Sequence, residues 1–383
     1  MQRKSSAKDR AAPDAVAGLQ RLQSLDVLRG LTIAAMILVN NPGSHVAVLR
    51  LFRHANWNGC HPADLIFPFF LFVVGAAIQL ALGGRLRGKA PLPGLLWRVL
   101  RRTTLLFALG LMLNGFPSYD WSQIRVPGVL QRIALCYAAV AFLVVLLTPR
   151  QQILAAILIL TVYAILMLSV PVPGFGPGVL RPGKDLASFV DRILLRGSDH
   201  LLFPHWDPEG PFSTLPAIAT TLSGSLATAW LRAGGRRFWE FLATGSALIL
   251  VALVLSPWLP INKSLWSSSY VFLTSGAAVI GLGVCHALVD GHGVRRWSRP
   301  WAALGANPIA IYMLSTLCDK LLLLWSIRLA DGSVASAKRV AFEALLPYVS
   351  SPPMASFAYA AGYLLLWLGF AEWLYRRGVF LRL

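Results

Sequence analysis

Apolar residues in this chain fall into runs of roughly twenty, about the length needed to cross 30 Å of hydrocarbon as a helix. The runs lie at 25–43, 63–83, 95–114, 128–148, 151–171, 212–232, 238–257, 267–289, 301–326 and 353–375. Backbone inside a bilayer must satisfy its own hydrogen bonds, so the pattern predicts an all-α fold, a polytopic transmembrane helix bundle of about ten spans. The first run is the weakest, because its clean apolar core, Leu31 to Val39, is short and closes on Asn40, Asn41, Pro42 and Gly43. Asn307 and Pro308 predict a helix break at the inner end of the ninth run. Residues 1–24 read as a basic cytoplasmic tail, and residues 25–383 as a single transmembrane domain. The longest polar segment, about 172–211, is expected to be an outer loop. Its GFGPG string has no following Lys-Ser/Thr, so it reads as turn chemistry and not as a phosphate loop.

Composition narrows the class. The chain has 383 residues, is 56% hydrophobic and only 13% charged, and has a mean hydropathy of +0.62. Soluble domains carry roughly 25% charged residues, so a soluble enzyme, a disordered chain and a secreted disulfide scaffold are excluded. The net charge of +19 tests the orientation. With a cytoplasmic N-terminus and ten spans, 22 of the 35 Lys and Arg fall in inside segments, 11 in outside segments, and Arg132 and Lys320 within spans. That bias follows the positive-inside rule, puts both termini in the cytoplasm, and leaves nucleic-acid binding without a motive. Cys60, Cys136, Cys285 and Cys318 form no CxxC pair. They read as small core residues, with neither a disulfide framework nor a cysteine zinc site implied.

Polar groups in or beside apolar runs carry the chemistry, because they are costly there. Asp26 and Arg29 lie three apart at the inner end of the first run. They read as a structural pair, or with Arg29 facing an anionic cofactor from the cytoplasm. Asn40 and Asn41 end that helix as a turn, or as amide donors aimed at an oxygen. The loop RHANWNGCHPAD (53–64) sets His54, Asn56, Trp57, Asn58, His61 and Asp64 in twelve positions. His54 is the best general-base candidate there, because imidazole titrates near neutrality. Asp64 stands either as a catalytic partner or as a carboxylate favoured in the first turn of the second span. The His54, His61, Asp64 spacing matches no standard metal motif, so no metal is expected. Asp207 and Glu209 beside Trp206 suit hydrogen bonding to a sugar, or form a solvated turn. Gln131 and Arg132 sit in an apolar run, where an Arg needs a partner or a cavity. Asn262 and Lys263 lie on the same side as the His54 loop.

The segments SLDVLRGLTIAAMILVNNPG, HANWNG and ADLIFPFFLFVVG closely resemble the membrane catalytic region of the heparan-α-glucosaminide N-acetyltransferase family and its bacterial relatives. RVPGVLQRIA, DPEGPFSTLPAI, PINKSLW and GANPIAIY look like family segments in the same order. The resemblance implies a bacterial inner-membrane acetyltransferase that takes acetyl-CoA from the cytoplasm and transfers the acetyl group to an amino sugar on the outer face. It makes His54 the essential His and places Asn40 beside the acetyl group. It also carries over the family's tendency to form homodimers. On this reading Asn58 and Asp64 complete the catalytic set. Trp57, Asp207, Glu209, Asn262 and Lys263 bind the acceptor. Arg29, Arg132, Gln131 and the basic 85–102 segment face CoA. The competing class is a transporter for N-acetylglucosamine or chito-oligosaccharides, which ten spans and broken helices would also fit.

Overall fold

A computed structural model describes residues 22–83, 92–196, 199–234, 237–329 and 331–381. The expected basic tail therefore lies almost wholly outside the described residues, as does the 84–91 part of the basic 85–102 segment. A helix stands at each of the ten apolar runs. They are α1 (Gln23–Asn40), α2 (Ile66–Leu82), α3 (Leu92–Gly115), α4 (Val129–Leu146) and α5 (Pro149–Ser169). After the short α6 (Leu186–Leu194) in the long loop come α7 (Thr214–Arg232), α8 (Phe238–Leu255) and α9 (Ser268–Cys285). The ninth run is split into α10 (Arg295–Ala306) and α11 (Pro308–Leu324), and the chain closes with α12 (Ala337–Glu343) and α13 (Pro352–Arg376). A hairpin of two three-residue strands, β1 (Ser326–Arg328) with β2 (Val334–Ser336), is the one sheet among the described residues.

Six of these segments are long and apolar enough to cross a membrane, and the α10–α11 pair, bent by 75°, would make a seventh. The helices α1, α3 and α7 fall short of that apolarity for identifiable reasons. α1 carries Asp26 and Arg29, and α3 carries Arg98, Arg101 and Arg102. α7 is an interior helix whose Thr221 and Thr228 hydroxyls donate to Ala217 and Gly224 carbonyls at 3.1 and 2.9 Å. Its Thr220 accepts from Trp266 Nε1 at 3.0 Å. Polar side chains are tolerated there because each finds a partner inside the bundle.

Local chemistry sets the breaks. Thr148 and Gln151 form a capping box with Pro149 in the first turn, so α5 restarts directly after α4. At the ninth run Pro308 opens α11, and the buried side chain of Asn307 grips the C-terminal segment. Its Nδ2 donates to Val379 O at 2.9 Å and its Oδ1 accepts from Leu381 N at 2.7 Å. Close helix crossings rest on glycine. A Cβ on Gly30 would stand 1.8 Å from Trp301 O, and one on Gly75 1.7 Å from Thr221 O. α1 thus lies directly on α10, and α2 on α7.

The main core joins Ile33, Met36, Phe67, Leu106, Leu130, Tyr270 and Leu304. α5 and α8 sit at the rim, with only 22% and 17% of their apolar windows buried inside the protein. The connecting loops sort to two ends. At one end Gly59 N donates to Ile261 O, Val126 N to His200 O, and Gly43 N to Ser356 O. At the other, Arg29 donates to Gly305 O and Asn307 holds Val379.

Candidate active site

The His54 loop is built around Asp64. Pro62 opens a single 3₁₀ turn, Pro62–Leu65, that leads into α2. Asp64 is 1% exposed. Its Oδ2 accepts from the backbone N–H of Ala55 at 3.0 Å and of His61 at 2.9 Å. Its Oδ1 lies 2.7 Å from His54 Nδ1. A carboxylate can only accept, so Nδ1 carries the proton and Nε2 is left as the basic nitrogen. Asp64 is therefore both the helix-start residue and the orienting partner of the imidazole, which is itself 45% exposed. The Asp64 carbonyl accepts from the buried Tyr270 hydroxyl at 2.6 Å, tying the turn to α9.

A second loop, 260–267, packs against the first. Asn262 is fully buried. Its Nδ2 donates to Asn58 Oδ1 at 3.1 Å and its Oδ1 accepts from Leu265 N at 2.8 Å. Asn262 is a clamp between loops, and Asn58 is the exposed end of that clamp. The next residue, Lys263, brings Nζ to 3.5 Å from Asp64 Oδ1 and 3.2 Å from His54 Nδ1. Burial, with Asp64's charge beside it, pushes the Cys60 thiol up to about 12. Cys60 stays protonated and is not a nucleophile at neutral pH.

Aromatic side chains wall the same end. Trp57 donates Nε1 to Leu180 O at 2.8 Å and meets Trp206 edge-on, with centroids 5.1 Å apart. Trp206 stacks on Phe203 at 4.3 Å. Asp207 is buried and saturated. Its oxygens accept from Arg125 Nε at 2.8 Å, Arg125 Nη2 at 2.7 Å, Leu202 N and Glu209 N. Glu209 also pairs with Arg125. Sequence reasoning placed both carboxylates on a ligand and did not single out Arg125, because the pairing spans 82 residues and leaves no local signal.

Asn40 closes α1 at this same end and lines a small cleft with Ile37, Tyr312, Ser315 and Thr316. Its neighbour Asn41 donates Nδ2 to Ile37 O at 2.9 Å and caps the helix. Tyr312 and Thr316 were not foreseen. They come from α11, brought against α1 by the bend at Asn307.

At the opposite end of α1 lies a cavity of about 450 Å³ lined by Asp26, Arg29, Arg102, Tyr137, Pro308 and Leu381, among others. Arg29 Nη1 donates to Asp26 and to Gly305 O, both at 3.3 Å. Arg102 lies over the Tyr137 ring at 4.6 Å. Gln131 and Arg132, expected at a cofactor, do not line this cavity. They occupy the first turn of α4, whereas Tyr137 stands nearly two turns further along. Arg132 is 1% exposed. It donates to Gly210 O at 3.1 Å and to Ser213 Oγ, and lies over the Trp266 ring at 4.9 Å. Gln131 packs its amide against Gly110. Among the described residues no group of three His, Cys, Asp or Glu side chains is arranged to hold a metal.

Fold and site together define a polytopic helical membrane protein with a His–Asp pair at one end of the bundle and a basic cavity at the other. Residues 21–182 match the family model described as heparan-alpha-glucosaminide N-acetyltransferase, catalytic. The heparan-alpha-glucosaminide N-acetyltransferase of Homo sapiens is 31% identical over 354 aligned residues, which cover 76% of this chain and 52% of that protein. The Mus musculus protein of the same name is 29% identical over 354, covering 76% and 53%. The chain thus spans about half the length of the curated relatives it matches. Over residues 21–182 it is similar to the heparan-α-glucosaminide N-acetyltransferase catalytic region, the likeness its motifs suggested. The matched region contains Asn40, His54, Asp64, Arg102 and Arg132, while Asp207 and Lys263 lie beyond the family model.

Proposed function

We propose that this chain is an integral-membrane acetyltransferase whose donor is acetyl-CoA and whose acceptor is an amino sugar of the glucosamine type. The observation that carries the reading is the His54–Asp64 pair, 2.7 Å apart and half open at one end of the bundle. It lies within the segment that matches the catalytic family model. The N-acetyltransferase names of the relatives support the same chemistry.

In this reading residues 25–383 form one catalytic domain of ten spans behind a basic tail, in a bacterial inner membrane, with both termini cytoplasmic and two copies in the assembly. CoA phosphates lie in the cavity of Arg29 and Arg102. From Arg29 to Asn40 is eleven residues of α1, about 16 Å at 1.5 Å per residue, so the thioester arm follows α1 towards Asn40. The acceptor nitrogen attacks the acetyl carbon, the C–N bond forms, the C–S bond breaks and the thiolate leaves on CoA. His54 Nε2 takes the amine proton. Asn40 donates to the developing oxyanion, a contribution of about 3 kcal/mol. Trp57 and Glu209 contact the sugar, while Asn262 and Asp207 hold the loops that present them.

The test is thiol release by the purified full-length chain in detergent, supplied with acetyl-CoA and glucosamine. The expected result is release that requires the amino sugar, falls by roughly 10² to 10⁴ in His54→Ala, and falls at least tenfold in Asn40→Ala with the acceptor KM unchanged. If folded protein releases no thiol with any amino sugar or hydroxyl acceptor, yet carries N-acetylglucosamine into liposomes, the chain is a transporter.

A further inference from the structure

We infer that Lys263 is a positioning residue whose charge offsets Asp64 and keeps His54 in the neutral form that can accept a proton; this rests on the acetyltransferase reading above.

The argument starts from charge balance. A buried carboxylate hydrogen-bonded to an imidazole favours the imidazolium, which is the wrong form for a base. Asp64 has just that placement, 1% exposed and 2.7 Å from His54 Nδ1. Lys263 changes the sum. With its Nζ 3.5 Å from Asp64 Oδ1 and 3.2 Å from His54 Nδ1, the cluster is neutral when His54 is neutral. Protonating His54 would leave a net positive charge in a confined site.

The delivery of Lys263 is built and not incidental. Asn262 is locked to Asn58 and Leu265. Ser267 Oγ accepts from Asn262 N at 3.1 Å and donates to Pro260 O at 2.7 Å. Gly59 N donates to Ile261 O at 2.7 Å across the two loops. A residue meant to grip a mobile sugar needs reach into solvent, yet the Lys263 side chain is only 21% exposed and aimed at the carboxylate. The other ionisable groups near the pair are Cys60, His61 and the buried Tyr270. Cys60 is held protonated. His61 donates Nδ1 to Arg53 O at 3.0 Å. Tyr270 is neutral by its donation to Asp64 O. Among the described residues, Lys263 is the cation that faces the pair.

The test compares Lys263→Met, which keeps length and removes charge, with Lys263→Arg. For the methionine variant the acidic limb of the kcat/KM profile, where His54 gains its proton, moves up by about one pH unit, a loss that reaches about tenfold on that limb and recovers at higher pH. The KM for the amino sugar stays within twofold. Lys263→Arg restores most of the rate at pH 7. A second readout does not require turnover. Nitrogen-15 NMR of histidine-labelled protein in detergent, with the His54 signal assigned by its loss in His54→Gln, follows the ring's ionisation directly. An upward shift of that titration in Lys263→Met supports the inference even if no acceptor is turned over. An unchanged titration overturns it. So does a rate loss that high pH does not restore, or a large rise in amino-sugar KM, which would make Lys263 a substrate ligand. Absence of acetyl transfer by the wild-type chain, with the titration shift present, would sink the acetyltransferase reading alone.

Discussion

Arg125, in the loop between α3 and α4, closes as a two-pronged fork on Asp207, 82 residues later, with Nε to Oδ2 at 2.8 Å and Nη2 to Oδ1 at 2.7 Å. Burial works against the guanidinium charge, but Asp207 and Glu209 outweigh it and raise the Arg125 pKa above its ordinary value. The fork pins the long 172–211 loop to the bundle, so the wall that carries Trp206 depends on it.

Arg125→Ala leaves two carboxylates without their cation. Breaking such a pair costs about 3–5 kcal/mol, so the thermal unfolding midpoint in detergent drops sharply. Arg125→Lys recovers only part of it, because a point charge cannot replace the fork. Asp207→Asn behaves like Arg125→Ala. Glu209→Gln, which leaves the fork on Asp207 intact, changes the amino-sugar KM with a small change in midpoint. Equal destabilisation by the two carboxylate variants would remove Glu209 from the acceptor site.

Asp64→Asn separates orientation from folding. The amide can still accept from Ala55 N and His61 N but no longer supplies the charge that His54 Nδ1 faces. Acetyl transfer falls at least tenfold, with circular dichroism unchanged. A variant that retains full rate would show that His54 does not need Asp64.

The basic cavity at the other end of α1 makes a separate claim. Arg29→Gln and Arg102→Gln each raise the KM for acetyl-CoA, by roughly tenfold for one lost charge-assisted contact. The amino-sugar KM is untouched. The effect shrinks with acetyl-pantetheine, which lacks the nucleotide phosphates. Equal effects on both donors would place the phosphates elsewhere.

The helix crossing at Gly30 is a packing prediction. An added Cβ would meet Trp301 O at 1.8 Å, and Trp301 O is backbone that cannot swing aside. Gly30→Ala is expected to cost several kcal/mol, in line with overpacked cores, and to lower the yield of folded protein. Gly94→Ala, which meets nothing within 4 Å, serves as the matched control.

Much of this architecture is written locally in the chain. A run of twenty apolar residues has one way to satisfy its backbone in lipid, so the helix at each apolar run announced itself, and Pro308 marked where the ninth would break; α12 lies outside those runs and left no such signal. The angle of that break was not readable, because it is set by Asn307 reaching the backbone of Val379 and Leu381, some 72 to 74 residues away. The same limit governs the site. His54 and Asp64 lie ten residues apart in one dense loop, and their pairing was within reach of sequence. Arg132 looked like a membrane-buried cation awaiting an anion. Its partners, Gly210 O, Ser213 and Trp266, lie about 80 and 130 residues away, where no periodicity points.

Asp191, in α6 of the long loop, gives the chain a pH-dependent stability whose sign can be worked out. Burial pushes its carboxyl up to about 7, against the backbone N–H of Phe212 and the charge of Arg132, which pull it down. Between the usual carboxylate value near 4 and that pH, the folded chain holds a proton that the unfolded chain has released. This contribution to stability is therefore complete below pH 4, declines as pH rises, and is gone above about pH 7. Asp191→Asn keeps the acceptor for Phe212 N, which Oδ1 now provides at 2.8 Å, and removes the ionisation. The unfolding midpoint of the wild type should fall between pH 4.5 and 8 more steeply than that of the variant. Asp185, raised in the same sense by burial, keeps the variant's curve from being flat. Parallel curves for the two proteins would mean that Asp191 is ionised in the folded chain at neutral pH, and that water reaches its carboxyl.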